Sequence, residues 1–145
     1  MMCFAIRFLK EPEEIPGLVV DKMRLAVKGE IVLGEYRETF YSPLDVWERD
    51  IYEAQWRATL ERLRGGAMSA CFVISVHPRD IAEYVEIWGV WRLTHEYRVQ
   101  NRNIYVQSDA LPSLRNVYDL LGSYISVGGD GDPIIGWSLP LDVFR

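Results

Sequence analysis

The chain has 145 residues, of which 49% are hydrophobic and 26% charged, and these fractions are typical of a globular domain. The composition excludes a disordered tail, a disulfide-stapled mini-protein and a fibrous repeat. Sixteen Lys and Arg residues against 21 Asp and Glu residues give a formal net charge of -5, which disfavours unassisted binding to nucleic acid because the phosphate backbone requires a basic footprint. No repeat or linker divides the sequence, so we expect a single domain over residues 1–145.

The two cysteines and the N-terminal sequence indicate the compartment. Cys3 and Cys71 both lie in apolar runs, which predicts two buried free thiols. Arg7 and Lys10 interrupt the first apolar stretch, so we expect no signal peptide. No window of the sequence approaches the roughly 20 apolar residues that a membrane-spanning helix needs. We therefore expect a cytoplasmic protein with no membrane segment.

The first forty residues predict three strands separated by turns. Apolar and β-branched runs with partial alternation indicate the strands, and clusters of proline and glycine indicate the turns. The predicted strands cover residues 3–8, 18–27 and 31–40, with a turn-rich segment at 10–17, a hairpin turn at Lys28-Gly29 and a bulge at Gly34.

One long amphipathic helix is predicted over residues 43–64. Ser42 is placed as its N-cap and Pro43 at the first helical position, where the missing N–H costs nothing. Gly65-Gly66 is expected to end the helix. Apolar residues recur at helical spacing along one stripe, which is formed by Leu44, Trp47, Ile51, Ala54 and Ala58.

The second half of the chain returns to strands. The predicted strands cover residues 70–77, 84–94, 104–107 and 134–139, with a polar turn at 100–103, weak helical spacing over 112–124 and a glycine-rich loop at 128–133. This order of elements predicts an α+β fold, in which the long helix packs on a twisted antiparallel β-sheet or sandwich.

No group of residues predicts catalysis or metal binding. The two histidines and two cysteines are scattered, without a pair at metal-ligand spacing. Cys71 and His77 lie six residues apart near one predicted strand, too far apart to act as a nucleophile and its base. Asp130 and Asp132 lack the other ligands of a calcium loop and predict a tight turn instead. We therefore expect a protein that is not an enzyme and has no cofactor or metal.

Aromatic and arginine side chains are frequent between residues 88 and 102. On a sheet, such residues can stack the bases of single-stranded nucleic acid, and this alternative function would use Trp88, Trp91, Arg92 and Arg98. The same residue types are enriched at protein–protein hot spots. Because the chain is acidic overall, we favour a role in the core and in a protein interface, without direct binding to nucleic acid.

A series of short segments between residues 42 and 141 carries a family resemblance. The segments are Ser42-Pro43-Leu44, Trp47, Tyr52, Trp56, Ser69-Ala70, Tyr105-Val106-Gln107, Asp130-Gly131, Trp137 and Leu141. In this order and at these intervals, they resemble the immunity proteins of bacterial contact-dependent growth inhibition systems, the CdiI type. The most similar branch is the one paired with a colicin-E3-like ribosomal RNA nuclease toxin.

The resemblance implies a twisted antiparallel β-sandwich with helices, similar to the Whirly single-strand-binding domains, and no enzymatic activity. It also implies a cytoplasmic protein that binds and neutralises the C-terminal toxin domain of its cognate CdiA, which we expect to be an RNase. Because nucleases carry basic substrate surfaces, an acidic inhibitor can occlude the active site or the substrate surface.

Acidic side chains are the main candidate contacts for this partner. Glu48, Glu53 and Asp130 are the first candidates, and Asp132, Trp88 and Arg92 are the alternates. A solvated helix face is the simpler interpretation of Glu48 and of Glu53 taken singly. Together, however, they can form a surface complementary to a basic protein.

Overall fold

Two antiparallel β-sheets and one α-helix form the chain in the computed structural model, which describes residues 3–17, 22–78, 80–106 and 117–145. The strands are Phe4–Phe8 (β1), Glu13–Pro16 (β2), Met23–Leu33 (β3), Tyr36–Pro43 (β4), Ser69–Val76 (β5), Tyr84–Arg92 (β6), Tyr97–Tyr105 (β7) and Trp137–Leu139 (β8); the α-helix is Arg49–Arg64 (α1), and Val117–Leu120 forms a 3-10 turn. The predicted α+β fold with antiparallel strands is confirmed.

The long strand β3 organises the first sheet. β1 and β2 pair with successive halves of one edge of β3, and β4 pairs with the other edge. The second sheet is a simple antiparallel series in the order β5-β6-β7-β8. Helix α1 connects the two sheets and packs on β5.

The predicted hairpin turn at Lys28-Gly29 is wrong, because β3 runs straight through it. Gly29 pairs with Phe8 on one side and Phe40 on the other. A Cβ atom at position 29 would lie 2.7 Å from the Phe40 ring, so the glycine permits close packing here and makes no turn. The chain turns instead at Gly34, where the backbone has a φ of 67° that favours glycine.

The predicted start of the helix is also wrong. Ser42 and Pro43 belong to β4, where they pair with Val27 and Ala26. The N–H of Leu44 then donates to the carbonyl oxygen of Leu25, at 3.0 Å, which extends the pairing beyond Pro43. Pairing with a distant strand therefore overrides the local capping signal. The helix begins at Arg49 after Glu48, and it ends at Gly65 as predicted.

Three other predicted segments need correction or lie partly outside the described residues. The turn-rich segment at 10–17 contains β2, and the polar turn predicted at 100–103 lies in the middle of β7. Buried Gln100 is tolerated there because its Nε2 donates to the carbonyl oxygen of Ile125. Of the weak helical spacing over 112–124, the described part contains a single 3-10 turn. The structure does not describe residues 18–21, at the start of the predicted strand 18–27. It also does not describe residues 107–116, which include the end of the predicted strand 104–107 and the start of this helical segment.

Side chains of α1 satisfy the outer edge of β5, which has no strand partner on that side among the described residues. The Gln55 side chain makes two hydrogen bonds to this edge: its Nε2 donates to the Cys71 carbonyl at 2.7 Å, and its Oε1 accepts from the Val73 N–H at 2.8 Å. Trp56 Nε1 donates to the Val73 carbonyl at 2.7 Å, and Thr59 Oγ1 donates to the Cys71 carbonyl at 2.6 Å. The helix thus replaces a strand by presenting side-chain amides and hydroxyls.

Tyr52 extends this series of hydrogen bonds to the first sheet. Its hydroxyl accepts from the Val76 N–H at 3.0 Å and donates to the Pro43 carbonyl at 2.8 Å. Burial raises the pKa of Tyr52 well above its ordinary value, so the phenol stays protonated and keeps donating. One buried side chain therefore joins α1 to both sheets.

Aromatic side chains fill the space between the first sheet and α1. Phe8 of β1 and Phe40 of β4 both contact the Trp56 ring, with centroids 4.6 and 6.0 Å away. Both cysteines are free, but only Cys71 is buried, so the prediction of a buried thiol at Cys3 is wrong. Burial raises the pKa of Cys71 to about 12. No helix within the described residues is long and apolar enough to cross a membrane.

We predict that Gln55→Leu lowers the free energy of unfolding by about 2 kcal/mol, because it leaves the buried Val73 N–H without an acceptor and removes a donor from the Cys71 carbonyl. Arg57→Leu, on an exposed position of the same helix, should change stability by less than about 0.5 kcal/mol. Urea unfolding followed by circular dichroism measures both. Equal unfolding midpoints for the two variants would contradict the role given to Gln55.

Candidate partner-binding surface

The chain between the 3-10 turn and β8 folds back on itself as a short hairpin, here called the 126–134 hairpin. Val127 and Pro133 form an antiparallel bridge, and the N–H of Ile134 donates to the carbonyl oxygen of Ser126 at 2.9 Å. The N–H of Gly128 donates to the carbonyl oxygen of Asp132 at 2.8 Å and closes the tip. Internal hydrogen bonds therefore define the shape of this projecting segment.

The tip of the hairpin presents two exposed carboxylates. Asp130 Oδ1 accepts from the backbone N–H of Asp132 at 3.0 Å, and Gly131 between them has a φ of 88°, which only glycine adopts without strain. The tight turn predicted from glycine and aspartate is confirmed. In the part of the chain that the structure describes, neither carboxylate has a salt-bridge partner.

Exposed apolar side chains flank this acidic tip. Ile135 is 76% exposed, and Ile125 and Val127 are about half exposed. Large apolar side chains that face solvent beside unpaired charges are typical of surfaces that contact another protein. The hairpin thus combines apolar contact area with a negative charge at its end.

A groove of about 520 Å³ lies between the hairpin and the two sheets. Aromatic rings form much of its wall: Tyr36 of β4 stacks on Trp137 of β8 with centroids 4.4 Å apart, and Trp88 of β6 lies 5.4 Å from Trp137. Ile135 lines the same groove from the hairpin side. Residues from both sheets and from the hairpin therefore meet at one place.

Two carboxylates are associated with this groove. Glu38 lines it and accepts a hydrogen bond of 3.0 Å from the Tyr36 hydroxyl. Glu86 of β6 accepts one of 3.0 Å from Nδ2 of Asn101, which also lines the groove. Burial raises the pKa of Glu86, the hydrogen bond from Asn101 opposes that rise, and the negative charge of Glu38 adds to it. Asn101 thus connects Glu86 to the groove that Glu38 lines.

The acidic residues predicted on the helix lie elsewhere. Glu48 is exposed and its side chain makes no capping hydrogen bond. Glu53 is paired with Arg49, whose Nε lies 3.5 Å from the Glu53 carboxylate. Arg49 also donates to the carbonyl oxygen of Lys10. Glu48 and Glu53 follow the end of β4, whereas Tyr36 and Glu38 of the groove lie at its start, so the length of the strand separates the two acidic areas.

The expectation of an exposed Trp88 is wrong, because its side chain is fully buried (0% exposed). Trp91 is buried as well, and Arg98 donates to Tyr124 and Ser138, so the side chains proposed to stack nucleic-acid bases do not form an open face. Both tryptophans therefore belong to the core, which is one of the two roles predicted for this segment. Arg92 is half-buried and lines a different, small pocket of about 80 Å³.

Sequence reasoning did not identify the groove residues as a site. Tyr36, Glu38 and Asn101 come from segments predicted only as strand or turn, and their proximity depends on the packing of the two sheets. The alternation of side chains along β4 is the one local signal that could have found Glu38. Tyr36, Glu38 and Phe40 share one face of the strand, and that face is less exposed than the other, so the pattern places a carboxylate on the inner face. Among the described residues, no group of three or more His, Cys, Asp or Glu could hold a metal ion.

A second, smaller polar group surrounds His77. Nη1 of Arg24 lies 3.0 Å from His77 Nδ1, and Nη2 of Arg24 lies 2.9 Å from the Asp45 carboxylate. Burial lowers the pKa of His77, the positive charge of Arg24 lowers it further, and Asp45 acts in the opposite direction. Neutral His77 therefore accepts the hydrogen bond from Arg24.

Comparison with known proteins identifies the family of this chain. Residues 42–144 match the family model of the CdiI N-terminal domain. The chain therefore belongs to the CdiI family of immunity proteins, as the sequence resemblance indicated.

A solved structure shows the same fold. The chain is similar to one from the CdiA-CT/CdiI toxin and immunity complex from Enterobacter cloacae, with a TM-score of 0.81, 22% sequence identity, and coverage of 97% of this chain and 92% of the other. No curated protein matches the chain.

We predict that acid destabilises the protein through His77. Because its pKa is lower in the folded state than the ordinary 6.5, the unfolded chain binds the proton first, and stability falls as the pH decreases below 6.5. His77→Asn should weaken this pH dependence. His95→Asn, at the chain's other, exposed histidine, should retain the wild-type dependence.

Urea unfolding midpoints at pH 7.5 and pH 5 measure this effect. The difference between the two midpoints should be smaller for His77→Asn than for the wild type and for His95→Asn. The same difference in all three proteins would show that His77 does not contribute.

Proposed function

We propose that this chain is the immunity protein that binds the C-terminal toxin domain of its cognate CdiA and neutralises it without catalysing a reaction. The observation that carries this proposal is the match of residues 42–144 to the CdiI family. The fold shared with a chain of a CdiA-CT/CdiI toxin and immunity complex supports it.

We further propose that the toxin is a nuclease, as in the RNase-paired branch that the sequence resembles, and that inhibition occurs by occlusion of its active site or substrate surface. The formal charge of -5 supports this mechanism. A nuclease attracts a polyanion with a basic surface, and an acidic protein can occupy that surface by the same electrostatic attraction. Such attraction also accelerates association.

The 126–134 hairpin is the surface that we propose contacts the toxin first. Asp130 and Asp132 have no salt-bridge partner in the described part of the chain, whereas Arg49 partly neutralises Glu53. The hairpin also offers exposed apolar area beside its charges in Val127, and Ile135, the residue that follows it, adds the most. We assign Glu48 and Glu53 a weaker, long-range role. Arg92 lies at a separate basic pocket and receives no role.

The neutralising role is tested with the C-terminal domain of the CdiA-type protein encoded beside this chain. Calorimetry should give one-to-one binding with a Kd in the nanomolar range or below, typical of a tight complex. Co-expression of this chain should restore growth of cells that produce the toxin domain. Neither binding nor protection would contradict the proposal.

We predict that Asp130→Lys combined with Asp132→Lys slows association with this toxin domain by on the order of tenfold at low salt, because steering by complementary charge is reversed. The effect should diminish at 0.5 M salt, where charges are screened over a few Å. Stopped-flow fluorescence measures the association rate constants.

Two matched variants make this measurement specific. Glu61→Lys with Asp142→Lys changes the net charge equally at exposed positions outside both acidic areas and should have a smaller effect. Glu48→Lys with Glu53→Lys should have an intermediate effect. The hairpin assignment is wrong if the hairpin variant associates as fast as the Glu61 and Asp142 variant.

A further inference from the structure

The groove beside the 126–134 hairpin brings aromatic rings and a carboxylate together. Its accessible wall is formed by the rings of Tyr36 and Trp137, with buried Trp88 behind them, and its negative charge comes from Glu38. Glu86 lines a second pocket, which also contains Arg24, and is connected to the groove by its hydrogen bond from Asn101. In the described ranges, no lysine or arginine forms a salt bridge with either glutamate. Among the described residues, the lining of the groove thus combines aromatic surface with the Glu38 carboxylate and includes no lysine or arginine.

Trp88 provides an independent sign that the groove is incomplete in the free chain. Its side chain is fully buried and lines the groove, yet its indole N–H has no hydrogen-bond acceptor among the residues that the structure describes. Buried N–H groups are nearly always paired. Only an oxygen acceptor can satisfy this donor, such as a backbone carbonyl of the segment that carries an incoming side chain, because a guanidinium donates and does not accept.

The burial of Glu86 points in the same direction. Folding holds this carboxylate near Glu38, and both its burial and the charge of Glu38 raise its pKa, although the hydrogen bond from Asn101 opposes them. The arrangement disfavours the charged form in the free chain. An added positive charge near the two glutamates would reverse this penalty.

We propose that the groove receives an arginine side chain of the toxin domain, with the guanidinium paired with Glu38, on the side of Asn101 and Glu86, and its plane against the rings of Tyr36 and Trp137. Arginine is the residue that combines the required properties, because its guanidinium is planar, permanently charged, able to pair with carboxylates and able to stack on aromatic rings. This inference rests on the proposed function, since it names the group that the partner contributes to the same surface.

The binding partner is again the toxin domain encoded beside this chain, and the variants are Glu38→Gln and Glu86→Gln. Each removes a charge with almost no change in shape. Each should raise the Kd by tenfold or more, mainly through faster dissociation, because the guanidinium loses a desolvated partner. Glu35→Gln removes the same charge from the exposed β3–β4 turn and should leave the Kd within twofold of wild type.

Thermal unfolding distinguishes recognition from a structural role. Because the free chain disfavours the charged Glu86, Glu86→Gln should unfold at a temperature equal to or above that of wild type while it binds more weakly. A lower unfolding temperature together with weaker binding in Glu86→Gln would mean that the carboxylate supports the fold, and would overturn the inference.

A double-mutant cycle identifies the arginine. The Kd of each arginine-to-glutamine variant of the toxin domain is measured for the wild-type chain and for its Glu38→Gln variant. One toxin variant should weaken binding to the wild-type chain and have little further effect on binding to Glu38→Gln. If wild type binds but both glutamate variants keep the wild-type Kd, or if no arginine couples to Glu38, the groove inference alone is wrong. If wild type itself does not bind, the proposed function is wrong and the inference falls with it.

Discussion

The outer edge of β5 is buried beneath α1, and the rest of the structure depends on how its peptide groups are satisfied there. A buried strand edge without partners would carry several unpaired N–H and C=O groups. Gln55 supplies both a donor and an acceptor to that edge, while Trp56 and Thr59 add donors. These bonds hold the helix at one position and register along β5. An apolar helix face could slide along the same strand with little penalty.

The fixed helix in turn positions the first sheet. Trp56 presents its ring to Phe8 and Phe40, and Tyr52 bonds to the last residue of β4. Farther along β4, Tyr36 and Glu38 no longer face the helix. They face β6 and the segment before β8, where the groove opens. The candidate site is thus a consequence of where the two sheets stop packing against each other.

Folding alone does not account for the side chains at this candidate site. Unpaired carboxylates and exposed isoleucine side chains do not stabilise a free chain, and Glu86 in particular is held where its charge is disfavoured. Residues of this kind are common where function, and not stability, determines the side chain. The polar side chains that α1 presents to β5, in contrast, have their hydrogen-bond partners within the chain.

The elements with strong local signals could be predicted from the sequence. The alternating and apolar runs identified β1, β5 and β6, and the glycine pair identified the end of α1. The start of α1 could not be predicted, because Ser42 has a good capping sequence but pairs with Val27 of β3. The polar centre of β7 could not be predicted as a strand either. The buried Gln100 side chain donates to the carbonyl oxygen of Ile125, 25 residues further along, and local sequence does not reveal such a distant acceptor.

The candidate site was only partly predictable. Asp130 and Asp132 could be predicted as exposed, because glycine-rich turns lie at the surface and their polar side chains face solvent. Glu38, Glu86 and Asn101 could not be predicted as a site, because the groove exists only after three strands from two sheets have packed. Trp88 was placed on the surface because one strand alone does not show which of its two faces the other sheet covers.

Hydrogen exchange measured by mass spectrometry, on the free chain and on its complex with the toxin domain, tests the central claim most directly. The claim is that the 126–134 hairpin and the groove beside it form the binding surface. The account predicts that binding slows exchange in residues 126–137 and in the first half of β4, with little change near Glu48 and Glu53. Protection confined to the start of α1, with unchanged exchange in the hairpin, would contradict it.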